Sequence, residues 1–193
     1  MDSIRYYLAL MVVISWPAVI PFWLLIHPFI KFWRRLGHVL TYVINFSIMA
    51  ILGGVIFLFR GRLLSIEFGT NYFLIALAVL VYSISVFVYF KRRQHLTTAI
   101  LSGLPEIAPE KAESRLLTEG IYGRIRHPRY LELLLGLLAF TLFVNYLAVY
   151  LFFPVFFAAL LLIIWFEEKE LRSRFGEEYE KYSERVPRFI PKL

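Results

Sequence analysis

Cysteine is absent from the 193-residue chain, which excludes disulfides, thiolate nucleophiles and Cys-ligated metals. Acidic side chains are scarce, 14 against 21 Lys and Arg, leaving a net charge of +7. That balance could suit nucleic acid, but the basic residues stand between apolar runs, where membrane orientation explains them better; no nucleic-acid partner is expected. No metal-site motif, P-loop, G-x-G-x-x-G or hydrolase serine elbow occurs, and no metal is expected. There is no internal repeat or low-complexity segment. Only Arg5 precedes an apolar stretch too long for a signal peptide, and no small-residue cleavage site follows it. What the chain has instead is apolar length. It is 60% hydrophobic, with a mean hydropathy of +0.67, whereas a soluble domain averages about half apolar residues. The length fits one domain, 1–193.

The fold class expected is an all-α integral membrane protein with five spans, at 6–30, 39–59, 72–90, 130–146 and 148–166. The last two come from one run. Between Glu132 and Glu167 lie 34 residues without a charged side chain, which as one straight helix would reach roughly 50 Å. A hydrocarbon core is ~30 Å thick, so a helical hairpin is expected, with Asn145 and Tyr146 at its tip. The charges arbitrate against one long tilted helix. With five spans and the N-terminus outside, the inner segments hold 18 of the 21 basic residues, leaving Arg5, Arg60 and Arg62 outside. Pro17, Pro21 and Pro28 predict kinks or an early end in the first span. A short helix is expected over 110–117. Leu171, Phe175, Tyr179, Tyr182 and Val186 predict an amphipathic helix on the inner face, stopped by Pro187.

Doubling back brings two polar clusters to one face. Pro128 suits the first turn of the fourth span, whose N-terminus presents unpaired N–H groups and a positive dipole end. Arg126, His127 and Arg129 surround it, making a plausible anion site. Tyr130 shares a face with His127, and Tyr122 on the preceding loop could stack on a planar group. Opposite stand Glu167 and Glu168, which accept from an ammonium or from ribose hydroxyls. A carboxylate pair facing an anion-binding helix start fits S-adenosylmethionine, a zwitterion with a ribose. A plainer reading also stands: interfacial basic residues as orientation signals, and the glutamates as the first solvated residues past a span. Trp165, Tyr146 and Tyr150 are read as interfacial anchors. Asn45, Ser47, Ser83 and Ser85 are read as bonded to backbone or another helix. His27 and His38 are not read as ligands.

Taken together, Thr118-Glu119-Gly120-Ile121-Tyr122, Arg126-His127-Pro128-Arg129-Tyr130, Glu167-Glu168, and Phe175-Gly176-Glu177-Glu178-Tyr179 through Val186-Pro187-Arg188 to Pro191 resemble the isoprenylcysteine carboxyl methyltransferase family. Related phospholipid methyltransferases share the pattern. The resemblance covers 117–191. It implies an S-adenosylmethionine-dependent methyltransferase acting on a lipid-tailed substrate from the bilayer, and S-adenosylhomocysteine as product. The cofactor-binding residues it implies are Gly120, Tyr122, Arg126, His127, Pro128, Tyr130, Glu167 and Glu168, with the site and C-terminus cytosolic. No catalytic base is assigned. Two departures stand out. Glu132 occupies a position where the family has Gly, and must face the site or pair with a cation such as Arg129. Residues 163–166 are apolar where the eukaryotic enzymes carry basic residues, so an acceptor carboxylate must be read from elsewhere. The rival readings are a phospholipid amine methyltransferase, an NADPH-dependent sterol-type reductase, whose C-terminal segment is similar, and a non-catalytic scaffold.

Overall fold

A computed structural model describes residues 1–26, 28–94 and 116–191, which form helices joined by short connections. The helix expected over 110–117 and His27 fall outside the described residues, apart from Leu116 and Leu117 in coil. In chain order the helices are α1 (Asp2–Ile26), α2 (Ile30–Leu36), α3 (His38–Leu58), α4 (Arg60–Leu63), α5 (Tyr72–Arg93), a 3₁₀ turn at Gly120–Gly123, α6 (Pro128–Val144), α7 (Leu147–Phe175) and α8 (Glu177–Arg185). Among them α1, α3, α5 and α7 are long and apolar enough to cross a membrane. That is one fewer than expected, and the difference is α6. Its 17 residues put it at the lower limit of a spanning helix, ~17 residues. Large apolar side chains such as Phe73, Val79, Leu151 and Val155 are exposed on the outside of the bundle, as a lipid-facing surface requires.

The apolar run breaks where a left-handed residue is least costly. Asn145 closes α6 with φ 57° and ψ 46°, a conformation that Asn tolerates better than other non-glycine residues. Its Nδ2 donates to Gly69 O and its Oδ1 accepts from Tyr150. Tyr146 is buried and donates to Glu67 Oε2. Tyr146 and Tyr150 are therefore structural members of the hairpin tip. Arg5 is also more than an orientation charge. It is fully buried, donates twice to Val144 O at 2.9 and 3.0 Å and meets Glu67 Oε1 at 2.7 Å. It ties the start of α1 to the end of α6.

The core lies between α1, α6 and α7, where Val12, Leu137, Val149, Leu160 and Ile164 pack together. The most extensive helix pair is α5 with α6. Asn71 caps α5 by accepting from the N–H groups of Phe73 and Leu74. The helix continues past the expected end at 90 to Arg93, which places Arg92 on it. Ser47 and Ser83 bond to carbonyls one turn back, and Ser85 donates across to Glu132 O.

Two further boundaries bear on the site. The first helix stops at Ile26, ahead of Pro28, with Pro17 and Pro21 inside it. At the other end, α7 runs without a break to Phe175, so Glu167 and Glu168 lie within a helix instead of beyond one. The aromatic stripe is split between α7 and α8 by Gly176, at φ 52° and ψ −125°. That region is nearly closed to other residues. The stripe survives the bend, since Tyr179, Tyr182 and Val186 pack with Leu171, Phe175 and Leu116.

Candidate functional site

The corner preceding α6 is held from outside. His127 is the N-cap and Pro128 the first helical residue, where the missing N–H costs nothing. The N–H groups of Arg126 and His127 donate to the carbonyls of Pro187 and Arg188, at 2.8 and 3.1 Å. The C-terminal Val-Pro-Arg segment thus pairs with the Arg-His-Pro segment. The His127 and Tyr130 rings lie 5.7 Å apart, with Phe189 6.5 Å from His127 on another side.

Glu168 is the centre of the cluster. It is fully buried, and α7 carries it to His127, whose Nε2 is 3.1 Å from Oε1. A carboxylate only accepts, so Nε2 is the donor. Arg188 forms a fork on the same carboxylate, Nε to Oε1 at 3.0 Å and Nη2 to Oε2 at 2.6 Å. Arg126 Nη2 approaches Oε1 at 3.2 Å and Arg172 lies at 4.0 Å. Donating to the Glu168 carboxylate holds the Arg188 guanidinium above its ordinary pKa. One acidic residue therefore fastens the corner, α7 and the C-terminal segment to each other. Arg126 Nη2 and His127 Nε2 both face Glu168, which takes up part of the positive charge expected around the helix start.

Aromatic residues close the cluster. Gly120, at φ 58°, opens the 3₁₀ turn with a conformation that suits glycine, and the turn buries Tyr122. Tyr182 donates to Tyr122 O at 2.7 Å. Burial pushes the phenols of Tyr122 and Tyr182 well above their ordinary pKa. Tyr179 is pushed up to about 12, by burial and then by the nearby Glu168 charge. The Tyr122 hydroxyl feels Arg92 and Glu167, and the Tyr179 hydroxyl feels Glu168, Arg126 and Glu167.

Several buried polar atoms there have no hydrogen-bond partner among the described residues: Glu167 Oε2, Arg126 Nε, Tyr179 Oη and Arg92 Nη1. Glu167 Oε2 is 3.8 Å from His127 Nδ1. Buried polar atoms are ordinarily paired, so the Glu167 oxygen with the Arg126 and Tyr179 donors describes a site for a ligand that both donates and accepts, and Arg92 Nη1 stands apart from them on α5. The acid at Glu132 pairs with a cation, as expected, and that cation is Arg92, Nε to Oε2 at 2.7 Å.

All eight residues expected at the site lie on the elements that meet here: Gly120 and Tyr122 on the turn, Arg126, His127, Pro128 and Tyr130 at the corner, Glu167 and Glu168 on α7. Sequence reasoning missed Arg188, Phe189, Tyr179 and Arg92. Arg188 had a signal, since a buried glutamate needs cations and the Val-Pro-Arg segment supplies one.

Residues 72–193 match the profile described as the ergosterol biosynthesis ERG4/ERG24 family. The chain belongs to the ERG4/ERG24 family. The matched region begins at the first residue of α5 and includes every residue of the cluster. Within it the ERG4/ERG24 chain keeps the corner, the glutamate pair and the C-terminal segment together as one unit. A 77-residue stretch is also 36% identical to a Protein-S-isoprenylcysteine O-methyltransferase of Schizosaccharomyces pombe, covering 39% of this chain and 33% of that protein. The match therefore spans about a third of that relative's length.

Proposed function

We propose that the chain is an S-adenosylmethionine-dependent methyltransferase acting on a membrane-embedded amphiphile, by carboxyl methylation of an isoprenylcysteine-like lipid. The observation that carries this reading is the acid pair at the His-Pro corner, Glu168 fully buried and Glu167 half-buried with its Oε2 atom enclosed. Glu168 is spent on structure, while Glu167 keeps an oxygen without a partner among the described residues. An inward carboxylate accepts from an ammonium or a ribose hydroxyl and repels phosphates. Arg126 Nε and the Tyr179 hydroxyl, also without partners there, suit the carboxylate of the same zwitterion. Gly120, Tyr122, Arg126, His127, Pro128, Tyr130 and Glu167 would hold it, with Glu168 fixing the corner on which they stand. The identity with a protein named as an O-methyltransferase supports the same class.

Bound there, S-adenosylmethionine supplies an electrophilic methyl group. The acceptor's nucleophile would take that methyl group, and the carbon–sulfur bond's electron pair would leave with sulfur as S-adenosylhomocysteine. The chain's task is orientation, together with exclusion of water, which otherwise solvates an anionic acceptor and the sulfonium. A carboxylate acceptor is ionised near neutral pH and needs no base. In this reading α6 is the fifth crossing, the N-terminus is outside, and the corner faces the cytosol. The partners are a lipid-tailed substrate and the surrounding lipids. A phospholipid amine is the alternative acceptor.

The ERG4/ERG24 match favours a second reading, an NADPH-dependent reductase. Incubating purified protein with methyl-labelled cofactor and membrane extract separates the two. Methyl transfer predicts a labelled lipid that disappears in Glu167→Gln; extract left unlabelled refutes it.

A further inference from the structure

A second buried ion pair stands beside this corner. Arg92, near the end of α5, is almost fully buried; its Nε donates to Glu132 on the second turn of α6, and its guanidinium lies 5.5 Å from the Tyr89 ring. Its Nη1 is buried and has no hydrogen-bond partner among the described residues. Stability does not explain this arrangement. The helices α5 and α6 already pack more extensively than any other pair, and Ser85 already bonds across them. A buried ion pair adds little over apolar side chains of similar size, and a donor buried without a partner is a cost.

The direction of the guanidinium gives the pair a use. Arg92 is the strongest charge lowering the pKa of the Tyr122 hydroxyl, which Glu167 also reaches. The helix α5 also packs against the turn that carries Tyr122, so Arg92, near the end of α5, stands beside that turn. It approaches from α5, whereas Arg126 and Arg188 approach from the corner and the C-terminal segment. Residues 163–166, just before the glutamate pair, are apolar and supply no cation. Glu132 holds the guanidinium by one edge and leaves another edge for a ligand, the geometry that makes arginine a reader of planar oxyanions.

We propose that Arg92, clamped by Glu132, is a specificity-determining residue that binds an oxyanion, carboxylate or phosphate, carried by the methyl acceptor. This rests on the methyl-transfer reading above. Arg92 holds the acceptor head while Glu167 serves the cofactor side, so the two ligands meet between α5 and α7. Glu132 is a positioning residue that fixes which edge of Arg92 is offered.

The test uses full-length protein in nanodiscs with two acceptors, an S-farnesyl-cysteine free acid and phosphatidylethanolamine, and S-adenosylhomocysteine affinity as a control. Arg92→Gln is expected to raise the acceptor KM roughly ten- to a hundredfold, the loss of one charged hydrogen bond, with product-cofactor affinity unchanged. An effect on the cysteine acid identifies a carboxylate; one on the phospholipid identifies a phosphate. The charge-exchanged double variant Arg92→Glu/Glu132→Arg guards against misfolding, because it restores the pair and moves the guanidinium to α6. Recovery of Tm with KM still raised supports the proposal. Recovery of KM together with Tm shows a mere staple and overturns it, as does an unchanged KM in Arg92→Gln. Wild-type protein that binds no S-adenosylhomocysteine and methylates neither acceptor overturns the methyl-transfer reading, and this inference with it.

Discussion

Replacing Glu168 by alanine removes the acceptor that Arg126, His127 and Arg188 share. The cost follows from which partners can return to water. Arg188 and Arg172 each expose 47% of the side chain, so they rehydrate and contribute about 0–1 kcal/mol each, as surface pairs do. Arg126 and His127 expose only 11% and 4%. They are left as buried donors with no acceptor, and breaking a buried pair from one side costs about 3–5 kcal/mol. At about 2–4 °C per kcal/mol for a chain of this size, Glu168→Ala should lower Tm by roughly 6–20 °C. Glu168→Gln keeps one accepting oxygen and should lose less, about 1.5–3 kcal/mol. Thiol dyes cannot report the melt because the chain has no cysteine, but it has four tryptophans, and Trp165 lies three residues from Glu168. Intrinsic fluorescence in detergent or nanodiscs is therefore the assay. If Glu168→Ala melts within about 2 °C of wild type, the idea that one carboxylate fastens the corner, α7 and the C-terminal segment is wrong.

Arg5→Ala should destabilise the other end of the bundle by about 3–5 kcal/mol, because Val144 O and Glu67 lose a fully buried donor; a fluorescence melt unchanged from wild type contradicts this. Gly176→Ala should cost about 1–3 kcal/mol through backbone strain alone, since nothing lies within 4 Å of an added Cβ. Hydrogen exchange should then quicken in α8, and unchanged protection there would count against the strain argument. The Tyr179 phenol, pushed up to about 12, should appear at 295 nm as a late transition missing from Tyr179→Phe. Its folded form holds the proton more tightly than the unfolded chain does at about 10. That contribution to stability is therefore intact below pH 10 and lost as pH rises toward 12. A matching late transition in the Phe variant would assign it to another residue.

The hairpin was legible because its signals are local: a run too long for one crossing and an asparagine able to take positive φ. The His-Pro corner was legible for the same reason, since proline fixes its own backbone and tyrosine three residues on must share a face. The partners of the charges were not. Glu132 offered Arg129 as a neighbour in sequence, yet the side chain that reaches it stands 40 residues away on α5, a choice made by helix packing. Arg5 carried the ordinary signature of an orientation charge, and only the fold of the hairpin tip over it makes it a buried clamp. The aromatic stripe showed which residues pack together, while its period continued unchanged across the bend at Gly176 and so concealed it.

The central claim is that Glu167, beside the corner fastened by Glu168, faces a zwitterionic methyl donor. Parallel titrations of purified protein with S-adenosylhomocysteine and NADPH test it most directly. The account predicts saturable binding of S-adenosylhomocysteine, weakened in Glu167→Gln and undisturbed by NADPH. Saturable binding of NADPH with none of S-adenosylhomocysteine would contradict it.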